Sequence, residues 1–231
     1  MLDGYLPLLL QGATVTISVA FSTLLAAFAV GALSAWGALA GPWAVRALIS
    51  GYTTVARGVP ELVLILLVYY GLPQILQAAV RSLGWTDFSL NLAPFAAGVV
   101  TLGLVYGAFM AEVLRAAYLA VPKGQLEAAR AVGMAPGRMT RRITLPLMLP
   151  ICIASIGNIW MVIVKATALM SAIQLEDLMR KATLAANATR KPFSMFLAAA
   201  ALYLAITLVS LAVQALIERR LSRGRRPANG L

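Results

Sequence analysis

No charged residue occurs between Asp3 and Arg46. One helical crossing of a bilayer takes roughly 20 residues, and this stretch has 42. A helix of that length in water would carry charge on its wet face; lipid is the solvent that suits this one. The rest of the 231-residue chain is of the same kind, with 61% hydrophobic and 12% charged residues, against roughly 25% charged in soluble domains. A water-exposed enzyme is thereby excluded. His is absent and Cys152 is the lone Cys, which removes a His/Cys metal site, a His general base and a disulfide framework. The formal net charge of +11 does not imply nucleic acid, because too little polar surface remains to form a basic groove. Membrane topology accounts for it, since Lys and Arg gather on the cytoplasmic side of spans.

Further apolar stretches predict five spans, at about 9–36, 58–79, 94–115, 147–171 and 193–217. The expected fold class is all-α integral membrane, with one transmembrane domain over 1–231. The first span is no cleavable signal peptide: no basic region precedes it and its apolar part is too long. Gly41-Pro42 marks the turn after it, and residues 46–57 read as an interfacial piece. Charge then sets the direction. With the amino terminus outside, the cytoplasmic side holds Arg46, Arg57, Arg115, Lys123, Arg130, Arg138, Arg141, Arg142, Arg219, Arg220, Arg223, Arg225 and Arg226, 13 of the 19 basic residues. Arg81, Arg180, Lys181, Arg190 and Lys191 fall outside, and Lys165 lies within the membrane. The bias predicts a periplasmic amino terminus and a cytoplasmic carboxyl terminus, as an odd number of spans requires. The arginines of 219–226 anchor that end and attract anionic lipid. No internal repeat is visible, so the inverted-repeat plan of many carriers has no support.

The segment 118–146 is the most informative loop. Glu127, Ala128 and Ala129 are strong helix formers, Gly133 can take positive φ and end that helix, and 138–143 can form a second short helix. Pro146 and Pro150 suit the first turn of span 4, where a missing N–H is harmless. The expected shape is a stiff helix–turn–helix fused to spans at both ends. Small Ala128 and Ala129 allow close approach of a partner surface, and Glu127 offers a charge to it.

The spacing Glu127-Ala128-Ala129, Gly133, Ile143, Leu145-Pro146 resembles the EAA signature of membrane subunits of binding-protein-dependent ABC importers. Arg57-Gly58-Val59-Pro60, Tyr69-Tyr70-Gly71-Leu72-Pro73, Ala111-Glu112-Val113-Leu114-Arg115, Val121-Pro122-Lys123-Gly124-Gln125 and Lys165-Ala166-Thr167-Ala168-Leu169 are similar to the polar amino-acid permease subfamily. The likeness is greatest to its Q-type subunits for histidine, lysine, arginine and ornithine, or for opines. It covers about 12–220.

The resemblance implies a type I importer permease core whose EAA loop is the coupling helix, seated in a groove of a cytoplasmic ATPase. It implies two ATPase subunits, a periplasmic solute-binding protein and a second permease subunit, a heterodimer being favoured over a homodimer. It also implies residence in the bacterial inner membrane. No G-x-x-x-x-G-K-[ST] loop occurs here. This chain therefore carries no cofactor and no hydrolytic site, and ATP and Mg belong to the partner ATPase. Its expected task is to couple ATPase closure to alternating access for a polar, basic amino acid or opine. An ion-coupled carrier or channel is the competing reading; five spans, no repeat and few buried acids speak against it.

Polar groups within spans are candidate substrate contacts, because their insertion costs about 2.5–3.5 kcal/mol on translocon scales. Lys165 would receive an α-carboxylate, or else pair at an interhelical contact. Asn158 lies seven residues earlier on the same face, while Thr167 is rotated away and Ser171 follows. Glu61 would offer a counter-charge to a cationic solute, where by resemblance the family often has an apolar residue. Its alternative is an ion pair with Arg57, four residues back, if one helix runs through Pro60. Tyr69 and Tyr70 would stack on a guanidinium or sit at the membrane interface. Glu112 and Arg115 read as a structural pair. Glu176 and Asp177 would dock the binding protein, or simply cap a helix.

Overall fold

The computed structural model describes residues 4–83 and 90–222. Asp3, Arg223, Arg225 and Arg226, used in the charge count, lie outside the described residues. All regular structure among the described residues is helical. In chain order the helices are α1 (Leu6–Ala40), α2 (Trp43–Gly58), α3 (Glu61–Leu66), α4 (Leu72–Ser82), α5 (Pro94–Leu119), α6 (Lys123–Ala131), α7 (Pro136–Met139), α8 (Leu145–Ala166), α9 (Leu178–Thr189) and α10 (Pro192–Ser222). Among the described residues five helical runs are long and apolar enough to cross a membrane: α1, Glu61–Ser82, α5, Pro136–Ile173 and, within α10, Pro192–Arg220.

The centre is the pair α1 and α5. In lipid, apolar side chains gain little by leaving their solvent, so helices associate where small residues let backbones touch. Gly103, Gly107 and Ala111 recur every fourth residue on α5, and Ala27, Gly31 and Ala35 do so on α1; all are buried. A Cβ on Gly107 would lie 2.7 Å from Val30 Cγ1, one on Gly103 2.8 Å from Ala26 Cβ, and one on Gly31 2.6 Å from Met110 Cβ. No side chain fits between the two helices at these points. Around this seam pack Ile65 of α3, Ile159 and Ile163 of α8, and Met170 just beyond it.

The interfacial piece 46–57 is part of a full helix, α2, which begins after Gly41-Pro42 and hangs on α5 by a hydrogen bond from the Tyr52 hydroxyl to the Leu104 carbonyl. It does not run on into the next span. Proline disfavours helical backbone at the residue before it, and Val59 is extended (φ −100°, ψ 136°) ahead of Pro60, which caps α3.

Two crossings carry a widened turn where the sequence suggested straight or newly started helices. A π turn over Leu67–Gly71 precedes Pro73, and another over Thr140–Thr144 precedes Pro146. In each, the residue just before the proline donates to the carbonyl five back: Leu72 N–H to Leu67, and Leu145 N–H to Thr140. Proline has no N–H and its ring collides with the carbonyl four residues earlier; the wider turn moves that carbonyl aside. Pro146 therefore lies inside the helical run Pro136–Ile173 and does not open span 4. At the far end the run tightens into a 3-10 turn over Thr167–Ile173, and Gln174 in the left-handed region (φ 63°) ends it.

Candidate functional site

The EAA segment is built as an elbow. Pro122 caps α6, with Val121 buried beneath it. Gly133 (φ 73°) closes the helix, its N–H donating to the Arg130 carbonyl (2.9 Å) while Met134 N–H reaches the Ala129 carbonyl (3.0 Å). This paired closure needs the left-handed glycine expected at that position. Glu127 and Ala128 are exposed, but Ala129 is buried against its own chain, so one alanine faces outward and not two. Val132, 77% exposed, forms an apolar tip that sequence reasoning passed over. Ile143 is half-buried and Thr144 buried, whereas Leu145 and Pro146 are exposed where the elbow joins α8. Arg138, Arg141 and Arg142 line one cleft of about 570 Å³ beside the π turn.

A second constellation lies at the α2–α3 break. The Tyr106 hydroxyl of α5 donates to Glu61 Oε1 (2.8 Å). Arg57 does not pair with Glu61; its guanidinium sits 5.2 Å from the centre of the Phe109 ring, a favourable cation–π arrangement. The extended Val59-Pro60 step separates the two charges, which explains why the i,i+4 pair is absent. Arg57 and Glu61 line one cleft of about 490 Å³ with Val105, Phe109 and Leu169. Tyr106 and Phe109 were not anticipated. Their spacing of three on a small-residue helix is the available signal, but it fits ordinary core equally well.

The other predicted contacts scatter. Lys165 and Asn158 lie exposed on α8 with Val162 between them, and Lys165 makes no ion pair or hydrogen bond with any described residue. Thr167 is fully buried with its hydroxyl on the Val164 carbonyl, and Ser171 donates to Ala168. Tyr69 and Tyr70 meet edge to face at 4.7 Å in the first π turn, Tyr69 packed on the core and Tyr70 half exposed. Glu112 and Arg115 pair at 2.9 Å. Exposed Glu176 bonds Lys181 (2.6 Å), whose ammonium holds its carboxyl below the usual range. Asp177 is fully buried and caps α9 through the Arg180 N–H. Of the two docking candidates only Glu176 has an exposed carboxylate.

Residues 27–223 match the model of the family described as binding-protein-dependent transport system inner membrane component. The chain belongs to this family. As a member of it, the chain is a transport subunit of an inner membrane, of the all-helical permease fold. It is 42% identical over 224 residues to the histidine/lysine/arginine/ornithine transport system permease protein HisQ of Salmonella typhimurium, covering 97% of each chain. To the octopine transport system permease protein OccQ of Rhizobium radiobacter it is 40% identical over 222 residues, 96% of this chain and 93% of that one. A crystal structure of an amino acid ABC transporter with histidines superposes with a TM-score of 0.80 at 31% identity, covering 94% and 95% of the two chains. The MetNI methionine ABC transporter in an inward-facing form gives 0.75 at 19% identity over 96% and 99%, a likeness of fold.

Proposed function

We propose that this permease passes basic amino acids or opines through an ATP-driven importer. The observation that carries the substrate class is the cleft that Arg57 and Glu61 share without pairing to each other. An amino acid with a cationic side chain has a carboxylate for Arg57 and a cation for Glu61. Tyr106 holds one carboxylate oxygen in place, and the Arg57 face stays on Phe109. The names of the HisQ and OccQ relatives support the same class. Lys165, unpaired on an exposed face of a spanning helix, favours a water-filled path or a second permease subunit against α8, because an uncovered ammonium in lipid is costly.

Family membership and the charge distribution support the remaining parts of this reading. The amino terminus lies in the periplasm and the carboxyl terminus in the cytoplasm. The elbow of Glu127, Ala128, Gly133 and Val132 seats on one of two ATPase subunits, which bind ATP and Mg and do the hydrolysis. Ile143, Leu145 and Pro146 transmit the displacement to α8. A related permease completes a heterodimer, and a periplasmic binding protein delivers solute, with Glu176 among the groups available to dock it. The test is uptake by the reconstituted importer carrying Glu61→Gln. Losing a charged hydrogen-bonding group costs about 1.5–3 kcal/mol, so arginine uptake should fall roughly tenfold or more while glutamine uptake changes little. Equal losses for both solutes would refute the assignment of Glu61 to the solute's cation.

A further inference from the structure

Four elements meet around one carboxyl group at the end of the molecule opposite the elbow. Asp177 has no exposed surface. Its Oδ1 accepts from the Arg180 N–H at 2.9 Å, but its Oδ2 is buried without a partner. The Tyr203 hydroxyl, on α10, is also buried without a hydrogen bond of good geometry, although it lies beside Thr16 and Thr167 and within the field of Asp177. Thr16 of α1 accepts from the Leu178 N–H at 3.1 Å. The α1 backbone closes the site from above: a Cβ on Gly12 would lie 2.8 Å from Leu178 Cα and 2.9 Å from the Asp177 carbonyl oxygen. Leu9, Ala13, Leu178, Ala182 and Ala199 form the apolar packing around it.

The charges that reach this group are few. Neither α1 nor the 3-10 turn 167–173 carries a charged residue, and α10 contributes Tyr203 as its titratable group here. On α9 itself Arg180 acts at a distance, and Lys181 is engaged by exposed Glu176. A bare carboxylate oxygen in such surroundings is costly, whereas a carboxylic acid is not. Burial dominates and pushes Asp177 up to about 6, against the backbone hydrogen bonds at its cap and the Arg180 charge that pull it down.

We propose that Asp177 is a proton-binding site, the proton residing on Oδ2 and directed toward the Tyr203 hydroxyl, so that one bound proton latches α9 to α1 and α10. Opening this seam hydrates the carboxyl and releases the proton to water. The sign follows from linkage: the closed seam binds the proton more tightly than an open, hydrated Asp does. The latch is therefore strongest in acid, weakens as pH rises from the ordinary Asp range through about 6, and is level above that. The inference stands whether or not the solute is basic.

The experiment is hydrogen–deuterium exchange of α9 in the complete importer at about pH 5 and about pH 7.5, corrected for the intrinsic pH dependence of exchange. A rise from 3.8 to about 6 bounds the effect at roughly a hundredfold. Wild-type α9 should lose protection about tenfold between these two pH values, the part of that bound that lies above pH 5. Asp177→Asn keeps the cap but cannot titrate, so its α9 should be equally protected at both. Infrared spectroscopy gives a second readout if that variant fails to assemble. A protonated-carboxyl band in the wild type at the lower pH should change frequency in Tyr203→Phe. Two results overturn the proposal: α9 protection that depends on pH as steeply in Asp177→Asn as in wild type, or a carboxylate that stays ionised at the lower pH with water bridging it to Tyr203.

Discussion

Along the α1–α5 seam small residues recur every fourth position and nothing intervenes between the backbones, whereas the crossings near Pro73 and Pro146 carry widened turns and little intramolecular cover. Within its most apolar window α5 is 61% buried, against 6% for Glu61–Ser82. Both regions obey the same rule, that backbone groups in lipid must find partners within the protein. The seam satisfies it with regular helices and close packing. The proline spans satisfy it by stretching the hydrogen-bond step to five residues. A close-packed seam has one arrangement and resists sliding. A π turn next to a proline differs from a regular α-helix by one residue of register, so replacing the proline can change its state. The chain thus joins a rigid keel to two adjustable spans, and the elbow is attached to one of the adjustable ones.

The largest effect should come from breaking the keel. Gly107→Leu would push Val30 and the Tyr52 hydroxyl aside, both within 3.1 Å of a new Cβ. Overpacking of this kind costs about 1–3 kcal/mol when neighbours can yield and more when they are backbone or other helices. Loss of folded protein, or a large drop in the denaturation midpoint in detergent, is expected. Gly71→Ala is the matched control in a π turn. Nothing lies within 4 Å of its Cβ, and alanine favours helix over glycine by about 1 kcal/mol, so stability should hold or rise. Similar losses at both positions would erase the distinction between keel and adjustable span.

The second effect is functional. Pro146→Ala restores an N–H that can reach the Arg142 carbonyl, so the π turn over Thr140–Thr144 loses its cause. Reverting to α-helix turns residues 136–144 about 100° relative to α8, one residue of helical rotation, and carries the elbow with them. Helix stability should rise, by at most the roughly 3 kcal/mol that proline costs in a helix interior. ATP-driven uptake by the reconstituted importer should fall several-fold with the protein still assembled. Unchanged uptake with a straightened helix would show that the turn is a packing accommodation and not part of the coupling path.

Much of this was legible in the residues. Long charge-free runs mark the spans because ionisable groups are excluded from lipid, and the elbow was visible because Glu127, Ala128 and Gly133 each have strong local preferences. What the sequence hid was where proline acts. Pro146 looks like a helix start when read locally, since proline favours first turns; only the continuous helix on either side shows that the chain accommodates it by widening a turn. At Pro60 the alternative to a solute contact, an Arg57–Glu61 pair, needs one helix to run through the proline, but the residue before proline is extended and the two charges part. Asp177 reads as a docking carboxylate or a helix cap, and the cap is what forms; its complete burial is what the sequence hid. Its burial depends on Gly12, 165 positions earlier, a contact no local pattern contains.

The smallest effect tests whether the keel is the fixed point of α5. Glu112 and Arg115 pair at 2.9 Å near the elbow end of α5, each side chain 41% exposed. Pairs spaced i,i+3 on a helix surface contribute about 0.2–0.5 kcal/mol, because water already solvates both charges and ordering two long side chains costs entropy. A double-mutant cycle with Glu112→Gln and Arg115→Gln, read by denaturation midpoint in the assembled importer, should give a coupling in that range and leave uptake unchanged. The buried residues of α5 would not sense the loss, since the seam is made by Gly103, Gly107 and Ala111. A coupling above about 1.5 kcal/mol would require that water be excluded from the pair by a partner subunit or by lipid. In that event α5 would be held from two sides, and the rigidity assigned to its contact with α1 would belong to the assembly as a whole.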